Sequence, residues 1–182
     1  MTSLASRAQL RASFLRYALF TVPGLVLLGS ISGRIANSGY DNPWFDALEK
    51  PAAMPPGAVF GIVWTLLYIL LGFVLALLLH AKGARRRGQM IGLFALQMGL
   101  NYAWSPVFFA MHRIDWALTM IAAMIVLSIA LAALCWPIRR VPALMLLPYI
   151  AWLGFAAWLT LGIAGLNPEA LAPPPSATNI EL

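Results

Sequence analysis

The stretch Pro51–Leu79, PAAMPPGAVFGIVWTLLYILLGFVLALLL, carries no Asp, Glu, Lys or Arg. A helix of roughly 20 apolar residues is long enough to cross a bilayer, so this one segment already places the chain in a membrane. Working outward, the same reading recurs at Tyr17–Gly33, Gly88–Met111, Trp116–Ile138 and Val141–Pro168, all free of charge. These predict spanning helices at about 14–35, 58–80, 89–110, 116–136 and 142–163. With Pro and Gly at the segment ends and no period-2 alternation, a transmembrane β-barrel is a poor fit. The expected fold is therefore all-α, an integral membrane bundle of five transmembrane helices. A basic tail at 1–13 precedes a membrane domain at 14–168, whose lid loop occupies about 36–57, and a short tail follows at 169–182.

Composition agrees: of 182 residues 62% are apolar and 10% charged, with a mean hydropathy of +0.82. An average soluble domain is about one-quarter charged, so an ordinary soluble enzyme, a disordered chain and a secreted disulfide scaffold are excluded. The lone Cys135 lies in an apolar run and cannot form an intramolecular disulfide. Arg7, Arg11 and Arg16 before an apolar run resemble a leader peptide, but the long tail and the weak Ser30-Ile31-Ser32 site favour a retained helix.

Five spans gather Arg7, Arg11, Arg16, Lys82, Arg85, Arg86, Arg87, Arg139 and Arg140 on one side, with no acid among them. The other side receives Arg34, Lys50 and Arg113 with all six acids: Asp41, Asp46, Glu49, Asp115, Glu169 and Glu181. Lys/Arg excess marks the cytoplasmic face, so the amino terminus is expected inside and the carboxyl terminus outside; a bacterial cell membrane is the expected setting, though the charge pattern does not specify the host. The net charge of +6 then needs no nucleic acid; the Lys82–Arg87 loop reads as a topology signal beside anionic lipid.

Catalytic sets are nearly absent. His80 and His112 fall at opposite membrane faces, no Cys/His/Asp grouping has ligand spacing, and no ionisable group lies mid-span. No catalytic residue and no metal site are expected. What remains is amides and aromatics. Gln97, Asn101 and Ser105 share one face of the third span with Trp104 beside them, and must turn into the bundle, as helix glue or as ligand contacts. Ala95, Gly99 and Ala103 form a small-residue stripe on the opposite face, open to a second protomer or to a neighbouring helix. Trp64 with Tyr68, and Tyr149 with Trp152 and Ala156, make two further stripes, core or pocket, while Trp158 points away. Trp116 and Trp136 bracket the fourth span as interfacial anchors. The loop after the first span carries four prolines around Trp44, Phe45 and Leu48, more constraint than a connector needs, and reads as a lid.

WFDALEKP (Trp44–Pro51), Pro55-Pro56, Val63-Trp64 with Leu67-Tyr68, Gln97, LNYAWSPVFF (Leu100–Phe109), Trp116-Ala117-Leu118 and PYIAW (Pro148–Trp152), ending at Asn167, closely resemble the translocator protein / tryptophan-rich sensory protein family. The resemblance implies a five-helix bundle, usually a homodimer, that needs no cofactor and binds porphyrins such as protoporphyrin IX or haem. Trp44, Trp64, Asn101, Trp104 and Ala156 match the family's ligand positions, and Pro51, Pro55 and Pro56, with Lys50, shape the lid. The bottom-up stripes add Tyr68, Gln97, Tyr149 and Trp152. The implied function is a membrane receptor or sensor affecting tetrapyrrole transport or regulation. The alternatives are light-dependent porphyrin breakdown and small-molecule transport. Ala53 stands where relatives commonly carry a second loop tryptophan, which weakens the catalytic alternative. No Lys or Arg follows Arg140, so the family's sterol motif is missing.

Overall fold

The computed structural model describes residues 7–171, and these are mostly helical, with no strand among them. Five long helices form an up-and-down bundle: α1 (Arg7–Ile35), α3 (Gly57–His80), α4 (Arg87–Ser105), α5 (Ile114–Cys135) and α6 (Arg140–Leu166). A short α2 (Pro43–Ala47) sits in the first connection, and a 3-10 turn at Pro168–Leu171 ends the described chain. α1, α3, α5 and α6 are each long and apolar enough to cross a membrane. α4 carries Gln89, Gln97 and Asn101 and is less apolar, but with its π-helical continuation Pro106–Ala110 it extends about 36 Å.

α1 starts at Arg7, earlier than the expected 14, so Arg11 stands on the helix rather than in a tail. The reason is local: Ala8 to Ser13 contains neither Gly nor Pro, and long cationic side chains reach past a helix end toward water.

α1 and α3 approach closely because Gly72 has no side chain: a Cβ there would stand 2.6 Å from Val22 Cα. Thr21 Oγ1 donates to the Gly72 carbonyl across the same crossing, 2.8 Å, keeping its hydroxyl satisfied away from water. The core lies between α3, α4, α5 and α6, where Leu71, Val74, Met90, Met124, Leu131 and Leu146 are buried. Meanwhile Leu19, Phe20, Leu27, Ile62, Leu66, Val126 and Leu161 face outward, more than half exposed. So much outward apolar surface is a liability in water and a match in lipid. The protein is a multi-pass integral membrane protein.

Arg11, Arg16, Lys82–Arg87 and Arg139–Arg140 share one end with the Ser13–His80 contact. The acids of the first connection, Asp115 and Glu169 share the other, where Asn42 meets the Phe109 carbonyl and Asn167 meets Glu49. Trp116 and Trp136 mark the two ends of α5, half-exposed, with Arg113 4.9 Å and Arg140 5.5 Å from their rings.

Candidate functional site

In the half of the bundle beneath the first connection, the helices part around a cavity of about 350 Å³. That is within the range of small-molecule sites. α3 supplies Trp64 and Tyr68, α4 supplies Asn101 and Trp104, and α6 supplies Trp152 and Ala156. Six residues picked out in the sequence therefore share one wall. No lining residue is charged.

Gln97 and Tyr149 belong to the layer behind that wall. Tyr68 donates its phenol to Asn101 Oδ1 at 2.8 Å, Asn101 Nδ2 donates to the Tyr149 hydroxyl at 3.0 Å, and Gln97 Nε2 donates to the same hydroxyl. Tyr149 is fully buried and Gln97 is 1% exposed. Gln97 lies on Asn101's face but one turn deeper, so its part is to hold Tyr149, and through it the Asn101 amide, in one orientation. Around this network the aromatics interlock: the Trp64 ring is 5.6 Å from Tyr68 and 6.5 Å from Trp152, edge-on to the latter. Trp104 donates Nε1–H to the Ala117 carbonyl at 3.2 Å and stacks on Phe108 at 5.0 Å. The buried Trp152 indole N–H finds no acceptor among the described residues.

Trp44 is not on the cavity wall. Its ring stacks on His112 at 4.4 Å and meets Phe108 edge-on at 5.4 Å, so it braces Phe108 from behind. The next residue takes the inward place: Phe45, 5% exposed, lines the cavity with Phe108 and Phe109. The cause is the single turn of α2, whose successive residues point about 100° apart. Asn42 fixes that turn, accepting the Phe45 N–H at 3.1 Å and donating to the Phe109 carbonyl at 3.2 Å.

The lid residues pin the loop rather than enter the cavity. Lys50 Nζ donates to the Asp46 and Leu48 carbonyls at 2.9 and 3.0 Å and lies 4.9 Å from the Phe45 ring. Pro51 sits where a Cβ on Gly162 would stand, 2.5 Å from its Cγ. Tyr40 donates its phenol to the Pro55 carbonyl at 2.7 Å, and partial burial holds its pKa above the ordinary value, so it stays a donor at neutral pH. Pro56 precedes α3. Asn167 completes the closure: Oδ1 accepts the Glu49 N–H at 2.8 Å and Nδ2 donates to the Glu49 carbonyl at 2.9 Å.

Tyr40, Met54, Phe45, Phe108 and Phe109 line the cavity without having been singled out as ligand contacts. The Phe pair was hidden by Pro106. Lacking an N–H, it leaves the Tyr102 carbonyl without its helical donor; Ser32 Oγ on α1 donates instead at 2.5 Å. Past it the helix widens, with Met111 N–H reaching the Pro106 carbonyl at 2.9 Å. The extra residue in that turn breaks the regular wheel that placed Gln97, Asn101 and Ser105. The Pro106 before PVFF's two rings was the available signal.

Ala95, Gly99 and Ala103 are exposed on the far side of α4, with nothing within 4 Å of a Cβ built at Gly99. Trp158 likewise faces out, 53% exposed.

The profile of the TspO/MBR family matches residues 20–166. Among curated relatives, a translocator protein homolog from Schizosaccharomyces pombe is 33% identical over 73% of this chain and 83% of its own length. The tryptophan-rich sensory protein of Cereibacter sphaeroides is 33% identical over 71% of this chain and 82% of its own. Protein CrtK of Rhodobacter capsulatus is 30% identical over 69% and 79% respectively. With a helical membrane bundle, a lidded aromatic cavity and a match across nearly all of the five long helices, the chain is a member of the TspO/MBR family.

Proposed function

We propose that the protein is a membrane receptor or sensor that takes porphyrins and related tetrapyrroles into the cavity under the α2 loop and so affects their transport or regulation. The observation that carries this reading is the wall itself: Trp64, Trp104 and Trp152 around one oriented amide, Asn101, with no charged lining residue. Flat aromatic surfaces with few polar groups suit a broad, mostly apolar ring system, which gains both buried area and ring stacking. The names of the relatives, sensory protein and translocator, point the same way. With no lining acid or base, the cavity offers binding rather than general acid–base catalysis.

Titration of the purified protein with protoporphyrin IX, followed by tryptophan-fluorescence quenching, tests the proposal. Saturable one-site binding that Trp64→Ala weakens supports it. Unsaturable quenching, or binding that Trp64→Ala and Trp104→Phe leave unchanged, removes it.

A further inference from the structure

A second concavity lies on the outer surface of the bundle, at the basic end and away from the lidded cavity. It is a groove of about 500 Å³ lined by Leu15, Arg16, Ala18, Leu19, Val22 and Pro23 of α1 and Phe73 of α3. Its floor recedes to Ala18, 6% exposed, while Leu15 and Leu19 stand up beside it, 62% and 69% exposed. Near one end Val22 seats against Gly72. Toward the other, Phe14 stacks on Phe73 at 6.4 Å and meets His80 edge-on at 6.3 Å. From Arg16 to Pro23 the groove runs about 10 Å along the helix. Here the lipid-facing surface is a shallow, open depression, apolar along its length, with the Arg16 stem at its margin.

The charges around that end are unbalanced. Arg16 lines the groove, and Arg11, one turn before Leu15, stands on Leu15's side of the helix, about 140° around from Arg16. Both are exposed, and Lys82, Arg85 and Arg86 are exposed at the same end. The one ion pair among the described residues, Arg113–Asp115, is at the opposite end.

We propose that this groove is a binding site for an anionic phospholipid, one acyl chain lying along Leu15, Leu19 and Val22 and the phosphate facing Arg16 and Arg11. The apolar length takes the chain and the unpaired guanidiniums supply the headgroup's countercharge, the two halves of lipid-specific recognition at a membrane surface.

Native mass spectrometry of the protein released from nanodiscs of equal phosphatidylglycerol and phosphatidylcholine tests this. Phosphatidylglycerol is expected to be retained preferentially. Arg16→Gln should lower that retention about fivefold, the effect of one cation near a lipid surface. Leu19→Trp, which keeps the charge but fills the groove, should lower it comparably. Arg85→Gln, a cation at the same end outside the groove, is the control and should leave it unchanged. Equal retention of the two lipids overturns the site, as does a loss with Arg85→Gln that matches Arg16→Gln while Leu19→Trp has no effect, since that is diffuse surface charge. Protoporphyrin IX binding by the same variants should stay unchanged, so failure here is separable from failure of the tetrapyrrole reading.

Discussion

Asn101 and Asn167 do the same job at two depths, each holding one mobile group still. Asn101 links the Tyr68 and Tyr149 phenols, so Asn101→Leu strands the Tyr68 hydroxyl and leaves Tyr149 to Gln97 alone among the amides. It should lower stability by about 1–3 kcal/mol in a thermal melt and weaken porphyrin binding as the floor loosens. Trp64→Ala removes a stacking wall and should weaken protoporphyrin IX by about 1–3 kcal/mol with a smaller effect on folding. Trp158→Ala, on an outward face, should leave affinity unchanged in the same fluorescence titration. Asn167→Ala cuts both bonds to the Glu49 backbone; the expected result is faster amide exchange across residues 44–51 and faster ligand dissociation in stopped flow.

At the scale of elements, the pairing of α1 with α3 depends on Gly72. Gly72→Val drives a branched side chain into the Val22 backbone and should destabilise the bundle by about 1–3 kcal/mol, read as a lower midpoint in detergent unfolding. α4 presents two faces with different expected uses. Its amide face meets the cavity, and its Ala95–Gly99–Ala103 face is bare, which we propose as the contact of a homodimer. Gly99→Leu should shift the protein to monomer in light scattering while keeping porphyrin affinity, because the two faces are opposed. A dimer that survived Gly99→Leu would place the contact on another helix.

At the scale of the molecule, every basic cluster among the described residues is at one end and every described acid at the other, which we propose sets the amino terminus and the Lys82–Arg87 loop on the cytoplasmic side and the α2 lid on the other. Cys135, 1% exposed, contributes little labelling background. Ser3→Cys and Ser176→Cys, both outside the described residues, can be probed with an impermeant maleimide in spheroplasts. Outside labelling of Ser176→Cys alone is expected; labelling of Ser3→Cys from outside reverses the orientation.

The number of long helices, the membrane setting and the cavity's tryptophans were all legible in the residues, because charge-free length and helical periodicity act locally. Trp64, Tyr68, Asn101 and Trp104 follow from which face of a regular helix each occupies. The periodicity could not reach the places where regularity ends. Whether Trp44 or Phe45 turns inward depends on one capped turn of α2 against Phe109. The facing of Phe108 and Phe109 depends on a widened turn whose abandoned carbonyl is satisfied by Ser32, 70 residues away in sequence. Asn167 closes the lid from the far end of α6, 118 residues from Glu49. Local pattern decides which face of a helix is polar; which polar group meets which is decided by long-range packing, since a buried donor or acceptor must find its partner wherever the fold brings one.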